Sequence, residues 1–231
     1  MLIISATLCA ITQGNTEACS IAPIELTCEY LTRPTGLDVK APRFSWKLQA
    51  TNEAAHGQRQ TAYRILVADS RQQLDSHRGD MWDSGWIPSD AMQLIKYNGK
   101  PLQSDRRYYW KVSVKDEKEY ESGSSEAAEW STGLFSQDEW TAKWIGTGEA
   151  YNPAKGANKM SDPWFRKTVH LNEKPAKATL FVASVGYHEV YVNGQKIGDH
   201  LFAPAVTDHT KRARYIAYDI APAMQRGENV I

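Results

Sequence analysis

The chain has 231 residues, 42% of them hydrophobic and 23% charged, and its 27 Lys+Arg balance 27 Asp+Glu to a net charge of zero. That apolar share is too high for a disordered chain and is enough for one or two packed domains. The charge balance gives no electrostatic case for binding nucleic acid or an anionic membrane surface. Eight Trp, eleven Tyr and five Phe suit β-sandwich cores and sugar-binding faces alike.

Residues 1–20 read as a signal-peptide-like leader. MLIISATLCAI is too short for a transmembrane helix, which needs about 20 apolar residues, but fits a signal h-region. Ala18 would precede the cleavage site. A basic n-region is missing, since no Lys or Arg occurs before Arg33. The expectation is export, to the periplasm, the cell surface or the medium of a bacterium. Of the three cysteines, Cys9 would leave with the leader and Cys19 would be the site of a lipid anchor if there is one. Cys28 falls in a strand pattern as a small buried hydrophobe.

Residues 21–137 alternate with period two. Phe44, Trp46 and Leu48 share one parity, with Ser45 and Lys47 opposite; Tyr63, Ile65 and Val67 share a face; and Tyr108, Trp110, Val112 and Val114 share another, with Tyr109, Lys111, Ser113 and Lys115 opposite. Such segments are half-buried strands with one wet side. Turn signals separate them at Pro34-Thr35-Gly36, Asp83-Ser84-Gly85, Asn98-Gly99-Lys100-Pro101 and Glu121-Ser122-Gly123. Ser70–Ser76 is the one convincing helix. About seven short strands over this length predict an immunoglobulin-like or fibronectin-III-like sandwich. Trp82 and Trp86 flank a tight turn and are expected to cap the sandwich edge rather than form a sugar-stacking platform.

Ser136–Gly146 reads as a linker in which Trp140 and Trp144 pin two domains together, followed by a polar loop from Glu149 to Ser161. Residues 138–231 then read as a second, antiparallel unit of jelly-roll type. WFRKTVHL and ATLFVASV are strands. The apolar parity changes at Gly186, which suggests a bulge or bend. Asn193-Gly194 closes a hairpin with a type I′ turn, YIAYDI is a strand, and GENVI begins another. Lys211–Arg214, KRAR, is expected to be a solvated edge that discourages strand pairing.

WFRKTVHL, VGYHEVYVNGQKIGDHLFAP, TDHTKRARYIAYDI and RGENVI, in that order, resemble the N-terminal domain of bacterial α-L-rhamnosidases. AYRILVADS, MWDSGW and YYWKVSV likewise resemble the fibronectin-III-like module that precedes it. The resemblance implies an all-β chain: a fibronectin-III/Ig-like sandwich, then a jelly roll truncated before an inverting (α/α)6 catalytic barrel. It implies a parent glycoside hydrolase that releases terminal α-linked rhamnose from plant glycosides and polysaccharides. The expected partners are a rhamnose-containing glycan and the missing barrel of the same polypeptide.

Catalytic residues are not expected in this chain. Inverting hydrolysis needs two carboxyl groups about 6.5–9.5 Å apart, whereas Glu117, Glu119 and Glu121 lie in a charged loop that reads as solvated surface. The family's jelly roll can bind rhamnose, sometimes with calcium. On this chain that places candidate carbohydrate contacts at Asn158, Asp162, Trp164, Asp208 and His209, with calcium possible at Asp162 and Asp208; no other cofactor is required. The plainer reading makes both aspartates turn residues. His188 is expected to be a packed, hydrogen-bonded histidine rather than a metal ligand. The competing function is a stand-alone carbohydrate-binding or adhesion protein.

Overall fold

The computed structural model describes residues 18–51, 56–146 and 163–231. In chain order the first half holds strands β1 (Ile21–Cys28), β2 (Arg43–Ala50) and β3 (Ala62–Ala68), helix α1 (Arg71–Asp75), and strands β4 (Trp82–Asp83), β5 (Ile87–Pro88), β6 (Ile95–Lys96), β7 (Arg107–Lys115) and β8 (Ala128–Ser131). One sheet runs β1-β2-β6. The other runs β4-β3-β7-β8, with β5 also paired to β3. All pairings are antiparallel.

The inward parities foreseen for β2, β3 and β7 make one core, in which Phe44, Trp46, Tyr63, Ile65, Val67, Tyr108, Trp110, Val112 and Val114 are all buried. Phe44 is its hub, with its ring 4.3 Å from that of Trp110 and 5.2 Å from that of Trp130. Cys28 is buried at the end of β1. Ser70 caps α1 by accepting the Gln73 N–H at 3.3 Å, a bond that satisfies a donor the first turn leaves orphaned. The helix lies on the outward face of the second sheet, where Leu74 packs on Leu66 and Ala68 of β3.

The second half holds β9 (Thr168–Leu171), β10 (Thr179–Ala183), β11 (Val190–Val192), β12 (Gln195–Ile197), β13 (Tyr215–Asp219) and β14 (Gly227–Val230). They form three antiparallel pairs, β10 with β13, β11 with β12, and β14 with β9. These surround a core of Val190, Val192, Tyr218, Ile220 and Met224. Asn193 and Gly194, at φ 52° and 83°, form the expected turn between β11 and β12. Two expectations are narrowed. WFRKTVHL contributes only Thr168–Leu171 as strand, although Lys167 extends the ladder by exchanging backbone hydrogen bonds with Ile231 at 2.8 and 2.9 Å. Of the bulge or bend expected at Gly186, the structure has the bend: Gly186 sits at φ 101° after β10 ends at Ala183 and before β11 begins at Val190, and the two strands pair with different partners.

The two halves meet along β13, whose parities serve two cores. Ile216, Tyr218 and Ile220 face their own core. Tyr215, Ala217 and Asp219 face the sandwich: Tyr215 Oη accepts the Leu134 N–H at 3.1 Å, and Asp219 pairs with Arg107 at 2.8 Å. A Cβ on Gly36 would overlap the Ala217 Cβ, and one on Gly133 would overlap Tyr215 Oη, so the backbone approach itself requires glycine. Lys177 pairs with Asp105 at 2.8 Å. Trp140 pins the seam as expected, its ring 5.2 Å from Tyr215 and 6.4 Å from Phe181. Trp144 does not, being 67% exposed.

Candidate functional site

Of the five carbohydrate-binding candidates, Asn158 and Asp162 lie outside the described residues, and so does one of the two calcium positions. Trp164 is 96% exposed and has no hydrogen bond or ring contact among the described residues. Asp208 and His209 sit together in the turn before β13, where Lys211 N and Arg212 N both donate to Asp208 O at 3.0 Å. Asp208 Oδ1 accepts from Thr210 N and Oγ1 at 3.1 and 2.5 Å, and Oδ2 faces Lys211 at 3.2 Å. The Thr210 hydroxyl, with Lys211 beside it, holds this carboxyl below its usual range. Its immediate work is to shape the turn, in line with the plainer reading.

The same turn borders an open cleft of about 430 Å³ lined by Val206, Thr207, Asp208, Lys211, Arg212 and Arg214. KRAR is thus a cleft wall as well as a solvated segment. Among the described residues no three His, Cys, Asp or Glu side chains gather as metal ligands.

His188 is tied in on both ring nitrogens, Nδ1 to Ser184 Oγ at 2.7 Å and Nε2 to Tyr218 Oη at 3.1 Å. Burial, with His200 nearby, pushes its pKa below the ordinary histidine value. A neutral imidazole fits both bonds if Nδ1–H donates to Ser184, whose hydroxyl donates on to the Gly186 carbonyl at 2.8 Å, and Nε2 accepts from Tyr218.

A second cleft, of about 270 Å³, lies on the wet face of the sandwich, where Arg64, His77, Trp86, Lys111, Ser113 and Glu121 line it. Lys111 stands on the outward parity of β7 yet is only 6% exposed. Its Nζ lies 3.1 Å from His77 Nδ1, and burial pulls its pKa down. The two tryptophans of WDSGW part company here. Trp82 packs partly buried on the core, whereas Trp86 turns to the cleft with Lys115 Nζ 5.0 Å from its ring centroid. The lysine is hidden by α1 and the turn after it, a tertiary effect that strand parity does not carry; Trp86 was legible as an aromatic but not as a cleft wall.

Residues 23–136 match the family described as Rha78A-like, N-terminal immunoglobulin domain, and residues 173–231 match the alpha-L-rhamnosidase N-terminal domain. The chain carries the two N-terminal domains of α-L-rhamnosidases. Its relatives agree over both halves. An alpha-L-rhamnosidase of Formosa agariphila is 34% identical across 87% of this chain and 22% of its own length. One of Streptomyces avermitilis is 37% identical across 73% of this chain and 18% of its own. The solved alpha-L-rhamnosidase of Dictyoglumus thermophilum superposes with a TM-score of 0.77 at 34% identity, covering 90% of this chain and 24% of that one. The chain therefore spans about a fifth of the length of the curated rhamnosidases it matches. Asp208 and His209 fall inside the second rhamnosidase match and the Lys111 cleft inside the first, while Asn158, Asp162 and Trp164 fall between the two.

Proposed function

We propose that this chain is the non-catalytic N-terminal part of an exported α-L-rhamnosidase, where it braces the catalytic barrel and holds the enzyme on a rhamnose-containing glycan. The observation that carries the proposal is the order of the two family matches along one chain. The seam supports the bracing role, because Tyr215, Asp219 and Trp140 join the two halves by hydrogen bond, ion pair and ring contact. The acids of the charged loop are engaged locally: Glu119 and Glu121 flank Lys115 at 3.9 and 3.6 Å. Cleavage of terminal α-linked rhamnose is accordingly assigned to the parent enzyme and not to these residues. Sugar contact is assigned to the cleft beside Asp208 and His209 and to the exposed ring of Trp164.

Export rests on the leader pattern of residues 1–20. Lipid attachment at Cys19 is disfavoured by its packing: the residue is 9% exposed and belongs to the sandwich core, so acylation would have to draw the thiol out of it. The purified 231-residue chain should release no detectable nitrophenol from an aryl α-L-rhamnoside, and turnover above the buffer rate would overturn the non-catalytic assignment. A saturable change in tryptophan fluorescence with L-rhamnose supports the binding role. A flat titration, with or without added calcium, removes it and leaves bracing alone.

A further inference from the structure

The charges around the cleft on the sandwich face are settled pair by pair, with one left over. Arg64 grips both oxygens of Asp83 at 2.9 and 2.7 Å. Arg71 holds Asp75 at 3.0 Å, and Lys115 faces Glu121 at 3.6 Å. Lys111, more than nine-tenths buried, has no carboxylate within ion-pair distance among the described residues. Its neighbour is His77 Nδ1, which accepts from an ammonium when that nitrogen presents its lone pair. A buried cation without a counter-ion is costly, and natural proteins pair such groups. Asp75 and Arg71, which are paired with each other, act on Lys111 in opposite senses, so the cleft holds a positive charge with no direct counter-ion beside an aromatic wall, Trp86, and hydroxyls, of which Ser113 and Ser124 lie 3.1 Å apart.

We infer that this cleft is a second glycan subsite, specific for a carboxylated sugar: the carboxylate of a hexuronate residue lies on Lys111, its ring C–H face on Trp86, and its hydroxyls on the serines. The volume of about 270 Å³ falls just under the roughly 300–1,000 Å³ typical of small-molecule sites, which suits one sugar ring. A single free ammonium matches the single charge of a carboxylate. A phosphate would call for several donors or a guanidinium fork, and the one guanidinium here is already held by Asp83. A neutral sugar would leave Lys111 as it is. The inference rests on this cleft alone and stands or falls separately from the rhamnose site at Asp208.

The test is titration of the 231-residue chain with methyl D-galacturonoside and methyl D-glucuronoside, read by tryptophan fluorescence and calorimetry, with the neutral methyl galactoside and acetate as comparators. At least one uronoside should saturate with a Kd on the order of 1–10 mM, about tenfold or more tighter than either comparator, as expected for a charge-assisted bond. Lys111→Met keeps the buried volume and should abolish that preference while leaving the folded state intact. If Lys111→Met does not fold, Trp86→Leu is read instead and should weaken uronoside binding about tenfold through loss of ring contact. Equal affinity for uronoside and neutral sugar, no saturation by either uronoside, or uronoside affinity unchanged in the folded variant overturns the inference.

Discussion

Asn229 is fully buried and has every hydrogen-bonding position filled. Its Oδ1 accepts from Asn193 Nδ2 at 2.9 Å and from Gln225 N at 2.8 Å, and its Nδ2 donates to the carbonyls of Gln225 and Gly227 at 2.8 and 3.1 Å. Replacing it with leucine of similar size would remove four hydrogen bonds at once. Leaving a buried partner unsatisfied costs about 1–3 kcal/mol, so Asn229→Leu should lower stability by at least about 2 kcal/mol, measured by denaturant unfolding; a loss within error would mean water replaces the side chain. His188 gives a pH prediction. Its folded pKa lies below the unfolded value of about 6.5, so the unfolded state binds the proton more readily between the two values. The stability it contributes is complete above about pH 6.5 and is lost as the pH falls towards the folded pKa. Thermal unfolding of the wild type should therefore decline more steeply below pH 6.5 than that of His188→Gln, and parallel curves would contradict the assignment.

At the scale of elements, the hairpin β11–β12 and the strand β14 depend on each other. Asn193 N donates to Val230 O at 2.8 Å, Val230 N donates to Asn193 Oδ1 at 2.9 Å, and Asn193 Nδ2 also reaches Ala223 O at 2.9 Å. The turn residue foreseen on backbone grounds is thus also the link between two strands. Gly194 sits at φ 83° with open space around its Cα, so Gly194→Ala meets no clash and should cost about 1 kcal/mol of backbone strain alone. A larger loss in chemical denaturation would show that the turn is coupled to β14 through Asn193. Strands β3 and β7 were legible because one side of each faces the sandwich core, which writes apolar residues at every second position into the sequence. The short pairs β4 and β5 were not, since two residues carry no period. Parity also says nothing about what covers an outward face. Lys111 reads as a solvated lysine until α1 and its following turn cover it, and Tyr215, Ala217 and Asp219 read as the wet side of a strand until the sandwich meets them. The candidate site was legible only in part for the same reason. Asp208 and His209 were identified as candidate contacts and Asp208 also as a turn residue, while the cleft beside them depends on how that turn stands against Arg214.

For the whole molecule, the seam decides whether the halves unfold together. Each has its own apolar core, so cooperativity must pass through the seam of β13, Trp140 and the Lys177–Asp105 pair. Gly36→Val would drive a side chain into Ala217 and prise the halves apart, but it also carries the strain of a β-branched residue at φ 75°. Gly85 separates the two effects, because it has a similar φ of 62° with nothing within 4 Å of a built Cβ. Gly85→Val should therefore lower the melting temperature while keeping one calorimetric transition. Gly36→Val should split the endotherm in two, with the sandwich, held by the larger aromatic core, melting at the higher temperature. Tyr215→Phe, which removes only the acceptor for Leu134 N–H, should shift the transition by an amount corresponding to about 1 kcal/mol without splitting it. A single transition in Gly36→Val, displaced no further than in Gly85→Val, would mean that the close approach of Gly36 to Ala217 is not what couples the halves, and the bracing role would lose this physical basis.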